Sequence, residues 1–114
     1  MGEYQARGLD DVFFALSHRA RRRLLDQLAN APELRVTELA RRHRMSLNSV
    51  SKHVVVLERA RLVRRRVAGR DHFIRVAPDR LAAAEAWLQH HRQFWNAQLD
   101  NLAQFFARTK GETR

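Results

Sequence analysis

The chain has 114 residues, 45% of them hydrophobic, which suits one globular domain with a modest core. Twenty-two Lys and Arg against twelve Asp and Glu leave a formal charge of +10, an excess that solubility does not require and that points to a polyanionic partner. No stretch approaches the roughly eighteen apolar residues of a membrane span. The N-terminal run MGEYQARGLDD lacks the apolar centre of a signal peptide. A cytoplasmic location is therefore expected, and the absence of cysteine excludes disulfides, thiolate metal sites and thiol redox sensing.

Residues 1–8 read as a flexible tail, residues 9–107 as the folded domain and residues 108–114 as a polar end. Leu9, Val12, Phe13 and Leu16 stand at helical spacing and predict a short first helix. A second helix is predicted over about 18–30, with Ser17 as N-cap, Leu24, Leu25 and Leu28 as its apolar face and Pro32 as a stop beyond it. A third enters at Val36 with Thr37 as its cap, carrying Leu39 and Ala40 inward and Arg41, Arg42 and Arg44 outward. Ser46 reads as the N-cap of a fourth helix running to about Ala60, because Leu47, Val50, Val54 and Leu57 recur at intervals of three and four.

Beyond Leu62 the period shortens to two, and β-branched residues alternate with Arg around Gly69-Arg70. This predicts a hairpin with strands near 62–67 and 72–77. Pro78 then introduces the longest helical pattern, from Asp79 to about Ala107, with Leu81, Leu88, Trp95 and Leu102 at seven-residue intervals. The fold expected is mainly α with a small β-hairpin: five helices plus a wing, in which the third and fourth form a helix-turn-helix.

Projected at about 100° per residue, the aliphatic side of the fourth helix faces away from Asn48, Ser49, Lys52 and Arg59. With the aliphatic side packed, the polar side is free to enter a major groove of double-stranded DNA, where Asn pairs with adenine and Lys with guanine. Arg41, Arg42 and Arg44 are expected to position the domain on phosphates without encoding sequence. In the hairpin Arg64 and Arg66 share one face and Arg65 the other; Arg64 and Arg66 are expected to meet DNA phosphates, and Arg70 at the tip to enter the minor groove. Arg21, Arg22 and Arg23 suit an ordinary helix exterior as well as a binding role.

The last helix carries more large apolar groups than one small domain covers. Leu88, Phe94, Trp95, Leu99, Leu102 and Phe106, with Val12 and Phe13 of the first helix, are expected to form the interface of a homodimer.

The segments FFALSHRARRRLLDQLA, SLNSVSKHVVVLERARLV and WLQHHRQFWNAQLDNLAQFF resemble motifs of the ArsR/SmtB family of winged-helix bacterial repressors, over residues 9–106. The resemblance implies that Ser46, Asn48, Ser49, Ser51, Lys52 and His53 read DNA, that the first and last helices dimerise, and that the protein represses transcription at an inverted-repeat operator. Two positions depart from the pattern. Val55 stands where relatives often have Arg, and Arg61 where they usually have a Gly closing the recognition helix; if Arg61 is left-handed, its Cβ costs about 1 kcal/mol.

Metal sites in that family use a cysteine-bearing third helix or carboxylates and histidines on the last one. Here His90 and His91 are adjacent and point about 100° apart, and Glu85 and Asp100 do not complete a set, so no metal or other cofactor is expected. No Ser-His-Asp order, glycine-rich phosphate loop or paired carboxylate cluster suggests an enzyme. The alternatives are an architectural protein binding nucleic acid without sequence preference and a metal- or small-molecule-responsive repressor of the same fold. An RNA-binding sheet is disfavoured because Phe73 is the hairpin's only aromatic residue.

Overall fold

A computed structural model of the chain describes residues 2–112, with side chains from residue 8 to residue 109. Its elements are α1 (Gly2–Leu16), α2 (Arg19–Ala29), β1 (Leu34–Arg35), α3 (Val36–Arg42), α4 (Leu47–Arg59), β2 (Val63–Ala68), β3 (Asp71–Val76) and α5 (Asp79–Glu112). They form two compact units, one extending to Ala84 and the other beginning at Glu85.

The core of the first unit comes from the residues that the helical spacings set together. Leu24 and Leu28 of α2, Leu39 of α3, and Val50, Val54 and Leu57 of α4 meet Val12 and Ala15 of α1, Leu62, and Ile74 of β3. At the usual coefficient of about 25 cal/mol per Å² of apolar surface, each such side chain contributes roughly 1.5–3 kcal/mol. Ala84, in the second turn of α5, closes the same cluster.

The sheet has the order β1-β3-β2 and is antiparallel throughout. Its wing is the expected hairpin: Val63 pairs with Val76 and Ala68 with Asp71, leaving Gly69-Arg70 as a two-residue turn. Gly69 has φ 62° at the first central position, where a type II′ turn calls for glycine. The third strand is an addition to the expected hairpin. β1 has two residues, pairing Leu34 with Ile74 and Arg35 with Phe73, and a strand that short carries no alternation of its own.

Both helices of the helix-turn-helix end alike. In α3 Met45 N–H donates to Ala40 O and Arg44 N–H to Arg41 O; in α4 Leu62 N–H donates to Leu57 O and Arg61 N–H to Glu58 O. These paired bonds define Schellman motifs, whose turning residue is left-handed and usually glycine. Here it is arginine in each case, Arg44 at φ 52° and Arg61 at φ 59°. The left-handed condition attached to Arg61 is thus met, and Arg44 shares it.

Several local expectations need correction. Helix α1 reaches back to Gly2 instead of starting at Leu9; residues 2–8 lack an apolar period but contain no proline, and Glu, Gln, Ala and Arg all favour helix. The cap of α2 is His18, whose Nδ1 accepts from Ala20 N–H, while the Ser17 hydroxyl donates to Phe14 O. Thr37 lies inside α3, whose N-cap is Arg35. At the other end α5 continues through residues 108–112 of the expected polar end, since nothing before Gly111 interrupts the helical run; residues 113 and 114 lie outside the described residues.

The second unit is the remainder of α5. Its Trp87, Leu88, Phe94, Trp95, Leu99, Leu102, Phe105 and Phe106 are all exposed in the single chain. Trp87 stacks on His91 at 4.2 Å between ring centroids, and His91 Nδ1 lies 2.9 Å from Trp87 O. None of the described helices is long and apolar enough to cross a membrane.

Candidate nucleic-acid interface

Helix α4 opens on Ser46, whose Oγ accepts the Ser49 N–H at 3.1 Å and fixes the first turn. Val50, Val54 and Leu57 then lie wholly inside the core. Asn48 is about 200° around the helix from Val50, and Lys52 falls about 40° from Asn48. Both are exposed, and neither makes a hydrogen bond or ion pair among the described residues. Ser46 and Arg59 are also exposed, whereas Ser49 and Ser51 are half-buried beside the same face.

One member of the expected inward face lies elsewhere. Leu47, the first residue of α4, is 51% exposed. It lies N-terminal to the turns that meet the core and borders a cleft of about 190 Å³ between the helix-turn-helix and the wing, with Arg35, Thr37, Ser51, Arg70 and His72. An aliphatic side chain on a polar reading face suits contact with a thymine methyl group. Thr37, expected only as a helix cap, also lines the cleft, and Arg35 and His72 are further cleft residues with no expected role, because the β1 pairing sets Arg35 against β3. The only signal was the run of apolar and basic residues just before α3.

The basic residues divide into two groups. Arg41, Arg44 and Arg70 are exposed and have no ion pair among the described residues, and Arg42 reaches Glu38 only at 3.9 Å. The wing arginines are engaged. Arg64 meets Asp79 at 3.3 Å; Arg65 meets Glu58 at 2.5 and 3.2 Å and His72 Nδ1 at 2.9 Å. Arg66 clamps Glu33 through two bonds of 2.6 and 3.2 Å and lies 4.3 Å above the Phe73 ring. Its hydrogen bond holds the Glu33 carboxyl below the usual carboxylate range, and Glu33 in turn raises Arg66. Arg64 and Arg66, both expected to face DNA, are thus exposed but already matched with carboxylates.

His53, assigned to DNA reading by resemblance, turns toward the α1–α2 junction. Its Nδ1 lies 3.3 Å from Arg21 Nη1, and its ring packs against His18. Burial, followed by the proximity of His18 and Arg21, lowers its pKa. His43, which caps α3, is likewise lowered by burial and by Arg23 and Arg42, and its Nε2 is buried without a partner among the described residues.

Of the residues expected at a dimer interface, Val12 is placed inside the core at 0% exposure and is corrected accordingly: with Ala15, three positions on, it points inward. Its neighbour Phe13 is 38% exposed, and Leu88, Phe94, Trp95, Leu99, Leu102 and Phe106 are exposed more fully. Among the described residues there is no group of three or more His, Asp or Glu side chains placed to hold a metal ion.

Comparison with known proteins bears on this geometry. Residues 16–66, the span from the end of α1 into the wing, match the family description "Helix-turn-helix domain". The chain is 39% identical over 98 residues to the HTH-type transcriptional regulator Rv2034 of Mycobacterium tuberculosis, covering 86% of this chain and 88% of the relative. It is similar to the crystal structure of an ArsR family transcriptional regulator, RHA00566, with a TM-score of 0.70 and 31% identity over 82% of this chain and 93% of the other. A solution structure of the homodimeric winged helix-turn-helix DNA-binding domain of Mb0332 from Mycobacterium bovis, described as a possible ArsR-family regulator, gives a TM-score of 0.66 at 26% identity, over 81% of this chain and 84% of that one.

Proposed function

Because the chain belongs to the ArsR family of winged helix-turn-helix transcriptional regulators, we propose that it is a homodimeric repressor that occupies an inverted-repeat operator and excludes polymerase from the promoter. The observation that carries this reading is the division of α4, with Val50, Val54 and Leu57 in the core and Asn48 and Lys52 exposed and without a bond among the described residues. Side chains with no intramolecular partner lose only water when they meet base edges. In this reading Asn48 and Lys52 read bases, Ser46, Ser49 and Ser51 line the approach, and Leu47 lies against a thymine methyl. Arg41, Arg42 and Arg44 hold phosphates, and Arg70 enters the minor groove from the wing tip.

Dimerisation is supported by the exposed row on α5 and by Phe13. Leu88, Trp95 and Leu102 follow one another at the seven-residue interval of a paired helix, and Phe94, Leu99 and Phe106 flank them. Each aromatic side chain covered in a dimer removes about 150–250 Å² from water. A two-fold pair of α4 helices about one DNA turn apart requires half-sites inverted about a centre. DNA binding and dimerisation both fall within residues 9–107, in the cytoplasm, with no metal required.

Selection of bound duplexes from a random pool tests the reading. Enrichment of a palindrome with half-sites about 10 base pairs apart is the expected result. A pool that stays random while binding remains strong and steeply salt-dependent would instead show an architectural protein.

A further inference from the structure

Arg21 is the one charged residue buried among the described residues, at 7% exposure, and no carboxylate compensates it. An unpaired guanidinium in a protein interior is costly unless its N–H groups are satisfied. Here they are spent on two helices. Nε donates to Ala15 O at 2.8 Å and Nη2 to Phe14 O at 3.1 Å, both in the last turn of α1. Both carbonyls lie at the negative end of the α1 dipole, which suits a cation, and Phe14 O is shared with the Ser17 N–H and hydroxyl. The third bond joins Nη1 to His53 Nδ1 on the recognition helix at 3.3 Å. The guanidinium carbon also lies 5.2 Å from the Phe14 ring centre. A single α2 side chain thus ties the end of α1 to the middle of α4.

The chemistry of this tie dictates a protonation state. Arginine has only donors, so His53 Nδ1 must present its lone pair, and the ring must be neutral with its proton on Nε2. His18, whose ring centroid is 4.7 Å from that of His53, caps α2 by accepting the Ala20 N–H on its Nδ1 at 3.0 Å. The charged and titratable groups acting on His53 are His18, on the α2 cap, and Arg21, within α2; no acidic group among the described residues offsets them. A proton on His53 Nδ1 would turn an acceptor into a donor facing another donor and add positive charge beside a buried cation.

We infer that Arg21 is a positioning residue for DNA reading, seating the recognition helix on the end of α1 through neutral His53, and that proton uptake by His53 releases this latch. His53 touches no base in this arrangement; it acts by holding the helix that carries Asn48 and Lys52. The sign follows from linkage. An unfolded histidine titrates near 6.5 and folded His53 lower, so the latch contributes fully above about pH 6.5 and is lost as the pH falls through the folded value. Protonation of histidines at a DNA-facing surface ordinarily strengthens binding to a polyanion, so the latch has the opposite sign to the general electrostatic effect.

The inference rests on the helix-turn-helix role and not on the operator or the dimer. It is tested on the full chain with a 30-base-pair random-sequence duplex at constant ionic strength. Histidine ring NMR should show His53 carrying its proton on Nε2 at pH 7.5 and titrating below 6.5. Affinity for the duplex should fall between pH 7.5 and pH 5.5, by at most about tenfold, as expected when binding requires one group that titrates below 6.5 to be deprotonated. In His53→Gln, whose amide oxygen accepts from Arg21 and cannot titrate, affinity should hold or rise over the same range, although His43 titrates in both proteins. His18→Asn, which keeps a capping oxygen, should raise the titration point of His53. Parallel affinity profiles for the wild type and His53→Gln, or a His53 ring that titrates at or above 6.5, would overturn the inference. The ring measurement needs no variant, so a misfolded substitution leaves the test intact. A His53 ring titrating below 6.5, with affinity falling at low pH as expected but no palindrome selected, would remove the operator and spare the latch.

Discussion

The recognition helix and the wing are both basic and both exposed, yet their charges are in different states. On α4 Lys52 has no partner among the described residues, and neither has Asn48. On the wing Arg64, Arg65 and Arg66 each meet a carboxylate, Asp79, Glu58 and Glu33 respectively, and Arg70 at the turn stands apart. A side chain already paired must break that pair before it meets a phosphate, so much of its electrostatic gain is offset. Net charge alone therefore overstates the wing. The paired arginines shape and stiffen it, with Arg66 joining β2 to the segment before β1 through Glu33 and to Phe73 by cation–π contact, while α4 and the wing tip retain charge for a partner.

The largest effect expected is on the foundation of the reading face. Leu57→Ala should lower unfolding stability by roughly 2–5 kcal/mol in urea titration, because a fully buried leucine leaves a cavity. A loss under 1 kcal/mol would mean that α4 is not anchored by this side. Next comes Asn48→Ala, expected to cost about 1–3 kcal/mol of discrimination between the selected duplex and random DNA. Arg42→Ala should weaken both duplexes alike and flatten the salt dependence; equal behaviour of the two variants in a salt titration would erase the distinction between reading and positioning.

Replacement of Arg61 by glycine should stabilise the fold by about 1 kcal/mol, since its left-handed backbone then carries no Cβ penalty. A lower melting temperature would show that the Arg61 side chain contributes more than the strain costs. The smallest change distinguishes the two regions most finely. Arg70→Ala should reduce the slope of log affinity against log salt by about 0.9, whereas Arg66→Ala should leave it nearly unchanged and Glu33→Gln, by releasing Arg66, should steepen it. Equal slopes for Arg66→Ala and Arg70→Ala would make the pairing irrelevant to binding.

What the sequence disclosed was whatever is periodic along it. Leu24, Leu25 and Leu28, then Val50, Val54 and Leu57, and finally the alternation through Val63–Val67 are local patterns, and they set the helix-turn-helix-wing order correctly. What is not legible there depends on partners distant in the chain. β1 exists because Leu34 and Arg35 pair with Ile74 and Phe73, and Arg66 is engaged by a carboxylate 33 residues away. His53 lies on α4 between exposed Lys52 and buried Val54, a position from which helical projection does not tell a base contact from a bond to Arg21. Val12 and Phe13 formed one apolar pair in the sequence, and only the packing of α1 assigns the first to the core and leaves the second exposed. Arg21 was indistinguishable from Arg22 and Arg23 in a run of three, although it alone is buried.

The account depends most on the outward side of α4 meeting DNA. Adding the selected duplex to isotopically labelled protein and following backbone amide shifts is the direct measurement. The largest changes should fall on residues 46–52 and at Arg70, with the buried side chains of Val54 and Leu57 keeping their native methyl shifts. Changes concentrated elsewhere, with Asn48 and Lys52 unmoved, would contradict it.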